Sequence, residues 1–136
     1  MTPEQVELVQ STWQKVVPIA GTAADLFYDR LFVLDSEVRA MFPDDMAKQK
    51  EKLVSVLNTV VTSLHKLESL VPTVEELGRF HGRKGVKAEH YGTVAEALLW
   101  TLEKGLGDAW SLEAKIAWTE AYTILAETMQ GAAVKA

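Results

Sequence analysis

Between residues 53 and 67 the apolar side chains recur as Leu53, Val56, Leu57, Val60, Val61, Leu64 and Leu67, at steps of three and four. Such steps return side chains to one face of an α-helix, whereas a strand would alternate with a period of two. No stretch of this chain alternates in that way. The stripe predicts a helix from about Ala47 to Leu70 that crosses the whole domain. Shorter stripes surround it. Thr2-Pro3-Glu4-Gln5 has a capping box and an early proline, and Val6, Val9, Trp13 and Val16 follow at helical spacing up to Pro18. Ala24, Phe27, Tyr28, Leu31 and Phe32 predict a second helix from near Ala20 to Asp35-Ser36, followed by a short helical piece over Glu37 to Met41. At Phe42-Pro43-Asp44-Asp45 the proline pushes Phe42 to an extended conformation, which predicts a corner.

In the second half, Pro72-Thr73-Val74-Glu75-Glu76 carries another capping box and predicts a separate short helix that stops at Gly85. Tyr91, Val94, Ala95, Leu98, Leu99 and Leu102 predict a long helix from Ala88 to Leu106, ended by Gly105 and Gly107. The last helix starts at Ser111, uses Ala117, Ala121, Tyr122, Leu125 and Met129, and is expected to fray after Gly131. The fold class is therefore all-α, and 136 residues fit one domain spanning 1–136.

Charge and composition exclude several functions. A net charge of -5 argues against nucleic acid or an anionic membrane surface as the main partner. Without cysteine there is no disulfide framework, thiolate metal site or cysteine nucleophile. MTPEQVELVQ lacks the features of a signal peptide, and apolar runs stay as short as LFVL at 31–34, so a soluble, cytoplasmic protein is expected. No glycine-flanked nucleophilic serine and no phosphate-binding glycine loop is present.

The unusual stretch is ELGRFHGRKGV at 76–86, where Gly78, Gly82 and Gly85 surround His81. A glycine inside a helix costs about 1 kcal/mol relative to alanine, so something else must hold this segment. His65 and His90 read as surface residues, while His81 shares a face with Val74, Leu77 and Gly78 and points inward. Gly78 and Gly85 would let a broad flat group approach the helix. One histidine cannot build a zinc site, which takes three or four protein ligands, but it can hold a haem iron, because the porphyrin supplies four nitrogens. The other ring nitrogen would be free to donate to a backbone carbonyl one turn back, such as that of Leu77. On the facing side, Tyr28 lies on an apolar helix face, and Gln49 precedes Leu53 by four residues on the inward stripe. Each has a plainer reading: a core tyrosine bound to a carbonyl, and a solvated first-turn amide. Together, two donors facing an iron could stabilise bound dioxygen, which takes on partial negative charge.

These motifs resemble the globins, in particular bacterial single-domain globins similar to the haem domain of flavohaemoglobins, over nearly the whole chain. LFYDRLF at 26–32 resembles the segment of the distal tyrosine, here Tyr28, and MFP at 41–43 puts Phe42 at the haem-stacking phenylalanine. QKEKL at 49–53 resembles the distal glutamine and the leucine one turn on, Gln49 and Leu53. LGRFHGRKGVKAEHY at 77–91 resembles the proximal segment, and the run up to Leu106 is also similar to neuroglobin. Trp13 and Trp118 match tryptophans common in the family.

The resemblance implies a globin fold, a three-over-three helical sandwich around haem b. His81 becomes the proximal iron ligand, with Phe42, Leu57, Leu77, Val86, Tyr91 and Val94 in contact with the cofactor. Two departures are expected to matter. Flavohaemoglobins append flavin and nicotinamide domains, so reduction here would need a separate reductase. Their proximal glutamate falls at Ala133, which weakens any peroxidase-like push on the imidazole and favours plain binding of dioxygen and other diatomic gases. Tyr28 or Lys52 could also reach ferric iron. The leading expectation is oxygen binding, transport or storage; the alternatives are a nitric oxide dioxygenase with a separate reductase, and a cofactor-free helical interaction module.

Overall fold

A computed structural model describes residues 1–135, with no strand among them. Six α-helices run as α1 (Pro3–Val16), α2 (Ala20–Leu34), α3 (Ala47–Thr62), α4 (Leu67–Arg83), α5 (Ala88–Leu106) and α6 (Leu112–Lys135). Short 3-10 turns over Val17–Ile19, Ser36–Met41, Leu64–Lys66 and Gly107–Ala109 join some of them. None of the described helices is long and apolar enough to cross a membrane.

Local chemistry sets most of the ends. The Thr2 hydroxyl accepts from Gln5 N–H at 3.1 Å while the Gln5 amide accepts from Thr2 N–H at 2.9 Å, the expected capping box. Ser111 caps α6 by accepting from Ala114 N–H at 3.0 Å. His90 is half-buried rather than free on the surface, and its Nδ1 accepts from Lys87 N–H at 2.8 Å at the start of α5.

Three expectations are corrected. The helix from Ala47 to Leu70 is two helices: α3 stops at Thr62, whose hydroxyl bonds back to the Asn58 carbonyl at 2.7 Å, and α4 starts at Leu67 after a tight turn. Threonine back-bonding of this kind competes with the backbone ladder and bends helices. The Pro72-Thr73 capping box does not open a helix, because Pro72 lies inside α4. Proline removes the bond that the Glu68 carbonyl would have accepted, and Glu68 is exposed to water that can replace it. Gly131 likewise lies within α6, which runs to Lys135.

The core joins the helices through tryptophan. Trp13 and Trp118 pack with centroids 6.2 Å apart; Trp13 donates to Asn58 Oδ1 at 3.0 Å and Trp118 to Thr12 Oγ1 at 2.9 Å. α4 makes its broadest contact with α6, and α2 with α5. From the Leu64–Lys66 turn, α3 and α4 diverge and scarcely touch. That divergence opens a wedge between the helix that carries Gln49 and the helix that carries His81.

Candidate functional site

The α4 wall is set by close packing. At Gly78 an added Cβ would collide with the backbone of Met129 on α6, and at Gly82 it would lie 3.1 Å from the Ala133 Cβ. These glycines therefore let two helices approach each other, and do not form a ledge for a flat group as the sequence suggested. Gly85 has φ +85° and nothing within 4 Å of a built Cβ; it serves the helix end. Gly85 N–H donates to the Gly82 carbonyl at 3.1 Å and Val86 N–H to the His81 carbonyl at 3.0 Å, a Schellman closure that fixes His81 in the last turn.

His81 is half-buried, and its Nδ1 is a buried atom with no hydrogen-bond partner, so the expected bond to the Leu77 carbonyl is not made. Burial lowers its pKa below the ordinary histidine value. The ring is thus kept neutral, the form that binds metals. Among the described residues no carboxylate bonds to Nδ1, and on α6 Ala133 packs on Gly82.

The facing wall is polar at one point. Tyr28, buried on α2, accepts a hydrogen bond from Gln49 Nε2 of α3 at 3.2 Å. The phenol oxygen acts as the acceptor, so its own proton stays free to donate elsewhere. Burial raises the Tyr28 pKa and the Gln49 bond opposes it, so the phenol holds its proton at neutral pH. Lys50 and Asp25, 2.8 Å apart, tie the two helices beside this pair.

Phe42 stands edge-on to Tyr28 with centroids 5.5 Å apart, and its backbone is extended at φ -118°, ψ 154°, as Pro43 requires. Sequence reasoning missed what holds this corner. Arg39 donates from Nη1 to the Phe42 and Pro43 carbonyls at 3.3 and 3.0 Å, and from Nη2 to the Asp44 carbonyl at 3.2 Å. Its guanidinium also lies 5.3 Å from the Phe32 ring centroid. An arginine a few residues before a proline corner was the available signal.

Of the other apolar residues singled out in the sequence, Leu53, Leu57, Leu77, Val86 and Val94 are packed on the core yet only half-buried, while Tyr91 is buried. The Tyr91 carbonyl accepts from Tyr122 Oη at 2.7 Å. Burial raises the pKa of Tyr122, with Tyr91 adding to the effect, so both stay neutral phenols. Lys52 is exposed and its Nζ lies 5.7 Å from the Phe80 ring centroid, which brings the start of α3 beside the residue preceding His81.

Six helices with a wedge between α3 and α4 make an all-α globin fold, the three-over-three sandwich. Residues 25–129 match the globin family. A flavohemoprotein of Bacillus subtilis (strain 168) is 30% identical over 129 residues, covering 93% of this chain and 32% of the relative, so the chain spans about a third of that protein's length. An uncharacterized globin-like protein of Aquifex aeolicus (strain VF5) is 29% identical, with 95% of this chain and 91% of the relative covered. Neuroglobin of Tetraodon nigroviridis is 25% identical, with 95% and 90% covered.

Among solved structures, an engineered carbene transferase from Rhodothermus marinus, provisionally assigned as a nitric oxide dioxygenase, aligns with a TM-score of 0.88 at 26% identity. The alignment covers 99% of this chain and 94% of that one. A bacterial globin from Campylobacter jejuni aligns with a TM-score of 0.81 at 24% identity, covering 98% and 97%. The chain belongs to the globin family. Globins bind haem and diatomic gases.

Proposed function

We propose that this globin reversibly binds dioxygen at a haem b iron held by His81, as a cytoplasmic carrier or store. Haem, when bound, supplies the iron at which a diatomic gas is taken up. The residues fit such a group. His81 is neutral and its buried Nδ1 lacks a partner, and the half-buried apolar side chains of Phe42, Leu53, Leu57, Leu77, Val86 and Val94 suit a flat apolar guest, with Tyr91 behind them.

The observation that carries the reading is the bond from Gln49 Nε2 to Tyr28 Oη. It occupies the phenol oxygen as acceptor and leaves Tyr28 O–H to donate to a guest that gains negative charge. Gln49 acts by orienting Tyr28, and Leu53 keeps water away beside them. Among the described residues no carboxylate bonds to His81 Nδ1, which favours holding the gas over activating it. The test is spectroscopic. Protein expressed with adequate haem should show an intense Soret band that shifts reversibly with oxygen and is lost in His81→Ala; a nearly colourless wild-type product would refute the reading.

The likeness to the Rhodothermus marinus protein and to the flavohemoprotein favours a second reading, conversion of nitric oxide and dioxygen to nitrate with a separate reductase restoring the ferrous state. Mixing the oxygenated protein with nitric oxide separates the two. Slow reaction leaves oxygen binding, while rapid nitrate formation sustained by a reductase establishes the enzyme.

A further inference from the structure

The chain is acidic overall, yet its cations are unevenly placed. Segments 48–52 and 79–87 together hold seven of the 14 Lys and Arg and only one of the 19 Asp and Glu. One segment follows the start of α3 through Gln49, and the other surrounds His81 at the end of α4. Some of this charge is already used. Lys50 pairs with Asp25, and Glu76 binds Arg79 at 3.0 Å and Arg83 at 3.6 Å.

Lys48, Lys52, Lys84 and Lys87 are exposed and in no salt bridge among the described residues. Lys52 and Lys84 flank Phe80, a residue left 40% exposed, and Lys48 and Lys87 stand four residues before the first and three after the second. Lys52 Nζ from α3 and Lys84 Nζ from the end of α4 lie 5.7 and 5.5 Å from its centroid. An exposed ring flanked by unpaired cations, next to His81 in the chain and under a lysine three residues after Gln49, has the apolar centre and charged rim of a transient interface. Carboxylates on a bound porphyrin could offset some of these lysines, but they would not explain an exposed phenylalanine.

We propose that this collar, Lys48, Lys52, Phe80, Lys84 and Lys87, is the docking surface for an acidic protein that donates single electrons to the iron. The proposal rests on the haem reading given above. In the docked pair a reduced flavin loses one electron, ferric iron gains it, and no atom is transferred. Opposite charge would guide encounter, and salt would weaken it. A nucleic acid would use the same cations, but the net charge of -5 repels a polyanion beyond the collar.

The experiment uses haem-loaded protein with flavodoxin, an acidic flavoprotein, as the probe. Binding is measured by calorimetry at low ionic strength, and the rate at which flavodoxin hydroquinone reduces the ferric protein is followed in parallel. The expected result is weakening by about tenfold or more in Lys52→Glu/Lys84→Glu, a similar loss on raising salt to about 0.3 M, and a change within about twofold in Lys104→Glu/Lys115→Glu on α5 and α6. Reduction by the neutral deazariboflavin radical should not change in Lys48→Glu/Lys87→Glu. If Lys52→Glu/Lys84→Glu fails to retain haem, Lys48→Glu/Lys87→Glu answers the same question at the rim. No binding by the wild type, equal binding by the collar variants, or an equal loss in the α5–α6 variant would overturn the proposal. Those results leave the haem reading intact, whereas a missing Soret band sinks both.

Discussion

The two walls of the wedge are built by different physics. Where α4 meets α6 the contact depends on shape, since Gly78 lies so close to the Met129 backbone that no side chain fits between them. Where α2 meets α3 beside the wedge, the contact includes a polar pair, Gln49 and Tyr28, joined at 3.2 Å with a phenol proton left over. The first wall spends its residues on stability. The second keeps an unfulfilled donor, and unfulfilled buried donors are where chemistry is found. His81 connects them, held by the rigid wall and, in our proposal, serving the reactive one.

The comparison can be broken most severely at Gly78. Replacement by alanine forces α4 off α6 and should cost about 1–3 kcal/mol or more, read as a lower urea midpoint. Gly92, inside α5 with nothing within 4 Å of a built Cβ, is the control. There alanine should gain about 0.5–1 kcal/mol through helix propensity. If both substitutions stabilise alike, the close approach of α4 and α6 is not what the glycine serves.

A smaller effect is expected from Gln49→Leu. The neutral hydrogen bond it removes is worth about 1 kcal/mol, and added apolar burial offsets part of that, so the midpoint should move little. A loss as large as that of Gly78→Ala would mean that the polar wall is structural after all.

His81 gives a pH test on protein stripped of haem. Burial lowers its folded-state pKa below the ordinary value of 6.5. Between those two values the unfolded chain binds a proton that the folded chain refuses, so stability is full above about 6.5 and declines as pH falls towards the folded-state value. Urea midpoints at pH 7.5 and 5.5 should therefore differ more in the wild type than in His81→Ala. Equal differences would remove His81 from the account of acid sensitivity.

Much of this was legible in the sequence because it is local. The Thr2–Gln5 cap, the extended Phe42 ahead of Pro43, and the stop at Gly85 each follow from residues within a few positions of one another. The pairing of Tyr28 with Gln49 could be anticipated because each stood as a polar residue on an apolar stripe. What escaped depends on partners far along the chain. Gly78 looked like a weakness until Met129 was seen against it, and Pro72 looked like a helix start although Leu67, Leu70 and Val74 carry the same stripe through it. The break after Thr62 was hidden for the opposite reason, since the apolar spacing continues across Leu64 and Leu67 while the backbone turns. Arg39, fastening three carbonyls at the Phe42 corner, left no periodic mark at all.

The reactive wall is tested most directly by the oxygen dissociation rate of the ferrous, haem-loaded protein carrying Tyr28→Phe, Gln49→Leu or both. Loss of a donor worth about 1–3 kcal/mol corresponds to release about 5- to 150-fold faster in Tyr28→Phe. Gln49→Leu should accelerate release by less, and the double variant should match Tyr28→Phe, because Gln49 acts through the phenol oxygen. An unchanged rate in Tyr28→Phe, or effects of the two substitutions that multiply in full, would contradict the account.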